Sequence, residues 1–167
     1  ENDQFYFGSL SGNKEKQVRL LSLLTAAGIN AFNPENIIDR IWKKFFRIST
    51  AATLTSYYNL PIGKVLDLHT DDLLALADEF IAVATAMGIS FPPNSRDEIL
   101  EGQRKMPYNS TTSMHSDFLK GTQTELESIT GYIVQCAKDF NIEVPCYLRM
   151  YNELKTNYTN IYNIPNN

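Results

Sequence analysis

Groups that hold metals are scarce in this chain. It has two cysteines and two histidines in 167 residues, and Cys136, Cys146, His69 and His115 fall at no metal-ligand spacing. No metal site of that kind is expected. Cys136 lies among apolar residues at helical spacing and reads as a core residue rather than a reactive thiol. Nothing in the cysteine usage calls for an oxidising compartment. Long apolar runs are missing too: none approaches the roughly 20 residues of a membrane span, and no basic-plus-apolar leader is present. The cytoplasm is the default expectation. Positive charge is not in excess, with 15 lysines and arginines against 19 acids and a net charge of −4. The basic residues are scattered, which argues against a nucleic-acid surface. The eight glycines nowhere spell Gly-x-Gly-x-x-Gly, so the turn that cradles a dinucleotide is not among these residues.

What the chain does have is helical periodicity. The strongest stretch runs from Asn33 to Asn59. Asn33 suits an N-cap, Pro34 the first helical position and Glu35 the first turn. Apolar or small residues recur at Ile38, Ile41, Trp42, Phe45, Ile48, Ala52 and Thr55, and Pro61 and Gly63 follow the end. About 25 residues give a spine of roughly 37 Å. Lys43 and Lys44 sit within it, about 100° apart, so only one can point well away from the core. A lysine beside an apolar face either snorkels to water or lines a pocket where its charge acts on a substrate. The local pattern leaves both open.

Other helices are predicted over residues 14–27, with Val18, Leu20, Leu21, Leu23 and Leu24 apolar and Gly28 as the stop. Val65 to His69 reads as one turn of helix. Thr70 is expected to cap a helix whose stripe is Leu73, Leu76, Ala77, Phe80, Ile81, Ala84 and Met87, ending at Gly88. Ser95-Arg96-Asp97-Glu98 reads as a capping box after the Pro92-Pro93 linker. A loop over 106–112, a short helix over 114–120, a helix from about 123 to 139 and one from Pro145 to about Lys155 complete the set. Ahead of them all, Gln4 to Leu10 reads as an aromatic strand or extended arm. A strand needs partners, and few are visible, so residues 1–12 are expected to belong with something upstream. The expectation is therefore an all-α domain over residues 13–156, preceded by an extended segment. The Asn- and Tyr-rich tail of 157–167 is expected to be partly disordered.

Several short motifs recur in a fixed order: Trp42-x-Lys44, Pro61-x-Gly63, Ser113-Met114-x-x-Asp117, Lys120-Gly121, and Thr124-Glu125 before a helix that meets Gly131. Together they resemble the C-terminal domain of the ketopantoate (2-dehydropantoate) 2-reductase family, across nearly the whole chain. The resemblance implies a helical bundle of the type found in the C-terminal domain of 6-phosphogluconate dehydrogenase, following a Rossmann domain that supplies most of the NADPH site. It implies reduction of a small 2-oxo acid, ketopantoate in pantothenate and coenzyme A synthesis being the first candidate. Lys44 then corresponds to the group that protonates the nascent alkoxide, Glu125 to the carboxylate that supports it, and Ser113 to a substrate-binding hydroxyl. A second copy of the chain is a candidate partner, and these residues alone are expected to be inactive.

Local structure offers other roles. Thr122-Gln123-Thr124-Glu125 is also a capping box, and Ser113 could cap the short helix after it. Asp117 is expected to hold local backbone or a neighbouring cation, and His69 and His115 to pack or face water. The sequence also departs from the family's pattern: Ile48, Ala52 and Ile62 stand where characterised reductases carry asparagine. That substitution implies a greasier pocket and raises two competitors. One is a more apolar 2-oxo acid; the other is a helical interaction or dimerisation domain without catalysis.

Overall fold

A computed structural model describes residues 3–10 and 12–162. Positions 1, 2 and 11 of the expected extended segment, and 163–167 of the expected tail, lie outside the described residues. The chain divides into two compact units, Glu1–Lys43 and Lys44–Asn167.

In the first unit, strand β1 (Phe5–Tyr6) pairs in parallel with β2 (Ala31–Phe32), Phe5 opposite Ala31 and Tyr6 opposite Phe32. The partner strand lies in what the sequence suggested was a plain link. Two residues are too short to show a period, so only the ladder reveals it. Tyr6 stacks on Phe32 at 5.1 Å and carries the Arg40 guanidinium 3.9 Å above its ring. Between the strands, α1 (Lys14–Ala26) starts at Asn13, whose side chain accepts from Lys16 N, and gives way to Gly28 in the left-handed region at φ +77°. Start and stop match the sequence reading. None of its residues is buried, and Val18, Leu20 and Leu23 are exposed.

Helix α2 (Ile37–Tyr58) is shorter at its start than expected. Asn36, not Asn33, caps it, its Oδ1 accepting from the Ile38 and Asp39 amides at 3.0 and 3.4 Å. Its buried face is also rotated from the expected stripe. Ile41 and Ile48 are exposed, whereas Phe46, Ser49, Thr50, Thr53 and Leu54 are buried. An apolar count misses this face because hydroxyls supply much of it. Thr50 and Thr55 return their protons to the carbonyls of Phe46 and Ala51, one turn back. Ser49 pairs with Tyr147 Oη at 2.9 Å, Thr53 with Thr130 at 2.8 Å and Thr55 with Thr112 at 2.9 Å.

Among the described residues the regular elements of the second unit are all helical: the rest of α2, then α3 (Ile62–Leu68), α4 (Thr70–Ala86), α5 (Ser95–Arg104), α6 (Ser113–Lys120), a π-helical turn (Glu127–Gly131), α7 (Tyr132–Asp139) and α8 (Pro145–Tyr162). Helix α4 is its centre and touches α3, α5, α7 and α8. Leu73, Leu76, Ala77, Phe80, Val83 and Ala84 are fully buried, close to the expected stripe. Thr70 is not its cap; its hydroxyl donates back to Leu66 O, joining α3 to α4. Helix α5 forms where expected, one residue after Asn94, whose amide donates to Glu98 rather than leaving Ser95 to form the box. Glu79 of α4 accepts from the amides of Cys146 and Tyr147 at 2.7 and 2.8 Å, capping the N-terminus of α8 from another element. Helix α8 continues to Tyr162, past the expected end near Lys155. Cys136 and Cys146 are free and buried, as read for Cys136. Among the described residues no helix is long and apolar enough to cross a membrane, and no cluster of acids, histidines and cysteines could hold a metal.

The Pro61-Ile62-Gly63 turn has a specific task. The amides of Ile62 and Gly63 donate to the carbonyls of Ser110 and Tyr108, each at 2.9 Å, pinning the loop that leads into α6. A Cβ on Gly63 would sit 2.2 Å from the Tyr108 ring. Gly63→Ala must therefore push that ring and loop away, and destabilises the protein by about 1–3 kcal/mol. A lower urea midpoint at unchanged m-value checks it.

Candidate active site

A cavity of about 700 Å³ opens in the second unit. Helix α2 provides one wall, with Lys44, Phe45, Arg47, Ile48 and Ala51 on a common face at helical spacing. Helix α5 brings Gln103, and Met106 follows it. Thr112 and Ser113 stand at the start of α6, and Glu125, Ser128 and Ile129 come from the approach to the π-helical turn and the turn itself. The three residues singled out from the sequence, Lys44, Ser113 and Glu125, therefore line one cavity despite lying far apart along the chain. The volume suits a small organic acid.

Local structure decides between the alternative roles. Thr112, not Ser113, caps α6: its hydroxyl accepts from the His115 amide at 3.3 Å. That leaves Ser113 Oγ to donate to Glu125 Oε2 at 3.4 Å. The capping box through Glu125 does not form either. Thr122 donates its hydroxyl to Asp117, at Oδ1 and the carbonyl, while the Leu126 amide donates to Thr124 Oγ1. Glu125 is left exposed to the cavity. Among the described residues the Asp117 carboxylate meets the Thr122 hydroxyl rather than a backbone amide or a cation. Among the described residues no ion pair joins Lys44 to Glu125. Each faces the cavity on its own.

Beneath the site, Met114 is fully buried in a cluster with Ala52, Leu126, Ile129 and Leu154. The Ser-Met pair thus anchors by one residue and presents the other. Ala52 lies inside that cluster and Ile62 is buried under the pinned loop. Of Ile48, Ala52 and Ile62, only Ile48 lines the cavity.

Two lining groups escaped the sequence reading. Arg47 follows Lys44 by three positions, which places both cations on one helical face; that spacing was available to be read. Gln103 carried no local signal, because only packing shows that it is buried. With two cations against one carboxylate, the cavity favours an anionic ligand.

His115 is a packing histidine of an ordered kind. Its Nε2–H donates to Asn59 Oδ1 at 2.8 Å and its Nδ1 accepts from the Thr111 hydroxyl, an arrangement that suits the neutral ring. Burial pulls its pKa below the ordinary histidine value. The unfolded chain therefore takes up this proton first. The stability tied to neutral His115 is complete above about pH 6.5 and is lost as pH falls below it. Urea midpoints of the protein are expected to fall between about pH 7 and pH 5, less steeply in His115→Gln.

The family described as ketopantoate reductase PanE/ApbA, C terminal, matches residues 36–158. A 2-dehydropantoate 2-reductase of Pyrococcus abyssi is 33% identical over 156 residues, covering 85% of this chain and 48% of that protein. The crystal structure of 2-dehydropantoate 2-reductase from Porphyromonas gingivalis W83 superposes with a TM-score of 0.75 at 38% identity, over 91% of this chain and 46% of that one. D-mandelate dehydrogenase, solved with NADH and anilino(oxo)acetate, shares the fold alone, with a TM-score of 0.82 at 19% identity over 95% of this chain and 68% of its own. The chain spans about half the length of the curated relatives it matches. On the match to most of its length and on these relatives, the chain belongs to the ketopantoate reductase family, as its C-terminal, helical domain.

Proposed function

We propose that this chain is the substrate-holding half of a nicotinamide-dependent reductase of 2-oxo acids, with ketopantoate the first substrate to try. The convergence of Lys44, Ser113 and Glu125 on one cavity carries the reading. The described residues include neither a Gly-x-Gly-x-x-Gly turn nor any sheet beyond β1 and β2, so they do not fit the nucleotide part of the cofactor. That part is assigned to another domain of the whole protein, and NADPH is the form to test first.

Bound there, the cofactor would supply the hydride that reduces the carbonyl carbon. This chain's own work is at the carbonyl oxygen. Lys44, an ammonium on a rigid helix, stabilises the negative charge that grows there and delivers a proton to it. Glu125 and Ser113, bonded to each other, form the opposite side and hold the ligand against the lysine. Phe45, Ile48, Ala51, Met106 and Ile129 exclude water around the reacting atoms.

The same apolar lining favours a second reading, a 2-oxo acid with a larger apolar tail. A non-catalytic binding domain is the third outcome. NADPH oxidation by the full-length protein with ketopantoate separates all three, run beside Lys44→Ala. Turnover that falls by roughly 10²- to 10⁴-fold in the variant supports the reductase and the lysine together. An intact protein that binds NADPH but leaves ketopantoate untouched points to the other acid. One that binds no NADPH at all overturns the reading.

A further inference from the structure

Among the described residues, α8 gives none to the cavity wall, yet it is bonded to both elements that carry the candidate acid and base. On one side it meets α2, the helix of Lys44. Tyr147 Oη pairs with Ser49 Oγ at 2.9 Å, and Tyr57 Oη donates to Glu153 Oε1 at 3.1 Å. On the other side it meets the π-helical turn, which begins two residues after Glu125.

This second connection is a closed ring of three side chains. Tyr151 Oη donates to Glu127 Oε2 at 2.7 Å and accepts from Lys155 Nζ at 2.8 Å, while Lys155 Nζ stands 3.0 Å from Glu127 Oε1. The Tyr151 hydroxyl, with Lys155 beside it, holds the Glu127 carboxyl below its ordinary range, and the same partners raise the Lys155 ammonium. Both ends of the pair are therefore charged at neutral pH. The ring fits closely over Gly131, where a Cβ would stand 3.0 Å from Tyr151 Cε2 and 3.1 Å from Glu127 Oε2. Tyr151 also packs on the cluster that contains Leu126 and Ile129.

Exposed pairs of this kind stabilise a fold weakly, and the Glu127 and Lys155 side chains are 66% and 53% exposed. What distinguishes this one is where it acts. Glu127 does not line the cavity, but Glu125, Ser128 and Ile129 around it do. The carbonyl of Glu125 accepts from the Ser128 hydroxyl at 3.2 Å and from the Ile129 amide at 2.9 Å, which ties its backbone to the turn. The far end of the turn is held to α2 by Thr130 and Thr53. The near end, next to Glu125, is held by the ring on α8.

We propose that Tyr151 and Lys155 are positioning residues: through Glu127 they fix the start of the π-helical turn and so hold the Glu125 carboxylate on the cavity wall. Helix α8 is then a strut that keeps Glu125 in register with Lys44. This rests on the reductase reading, in which Glu125 holds the ligand against the lysine.

The test is a double-mutant cycle in the full-length protein, read as kcat with ketopantoate and NADPH. Tyr151→Phe keeps the aromatic ring and removes the hydroxyl that joins both partners. It is expected to lower kcat by roughly 10-fold, as a slightly misplaced active-site group does. Lys155→Met is expected to act in the same direction, and Lys155→Arg, which can keep the ion pair, to retain most of the wild-type rate. In a Glu125→Gln background, itself slower than wild type, Tyr151→Phe is expected to cost less than about 2-fold, because the carboxylate it acts through is gone. A residue that only supports folding lowers the rate by the same factor in both backgrounds. An unchanged kcat in Tyr151→Phe, or an equal loss in both backgrounds, overturns the proposal while the reductase reading stands. So does a Glu125→Gln protein as fast as the wild type. A wild-type protein that leaves ketopantoate untouched overturns this proposal and the ketopantoate reading together.

Discussion

The seam of hydroxyls on α2 is the constraint on which the second unit depends. Ser49, Thr50, Thr53 and Thr55 are fully buried, and a buried hydroxyl without a partner is costly. Three of them are satisfied by groups far away in sequence: Tyr147 on α8, Thr130 in the π-helical turn and Thr112 at the start of α6. Each pair fixes an element against α2 in angle as well as distance, which apolar packing alone does loosely. The small side chains also let the partners come close. The last pair matters most for chemistry, because Thr112 caps α6 with the same hydroxyl that meets Thr55.

From that seam the cavity follows. Thr112 sets the first turn of α6, Ser113 is turned toward Glu125, and Met114 is driven into the core beside Ala52. The loop before α6 is held from the other end by the Pro-x-Gly turn. The π-helical turn does the corresponding work on the far wall. Its extra residue per turn lets Thr130 and Gly131 face the core while Ser128 and Ile129 reach the cavity. A Cβ on Gly131 would stand 3.0 Å from the Tyr151 ring, so that ring would have to give by a few tenths of an ångström. Helices α2, α5 and α6 and the π-helical turn supply most of the cavity wall, with Met106 and Glu125 on the loops between them, a largely rigid frame for a small ligand.

The geometry explains why the order of the motifs matters. A lysine on a spine helix, a turn that pins a loop, a Ser-Met pair and a Thr-Glu pair are four solutions to one problem of convergence. Of the three apolar residues that the resemblance sets against asparagine, Ala52 and Ile62 are absorbed into the core and Ile48 forms part of the cavity wall. Polarity returns to that wall from α5, through Gln103, and from a second cation on α2, Arg47.

The sequence by itself determined the helices, most of their ends, the central stripe of α4 and the three residues, Lys44, Ser113 and Glu125, that meet on one cavity. Those are properties of period, of caps and of ordered motifs, all of which are local. Tertiary structure alone decided which face of α2 is buried, because hydroxyls there became core only by finding partners on other helices. It decided that Thr112 rather than Ser113 caps α6, and that the Thr122–Glu125 box gives way to a bond with Asp117. It decided the two-residue ladder of β1 and β2, too short to leave a pattern. It also decided that Gln103, an ordinary polar residue in a polar helix, sits buried with one bond made and one open. A residue's burial and its unmet bonds depend on neighbours distant in sequence, and no local period records them.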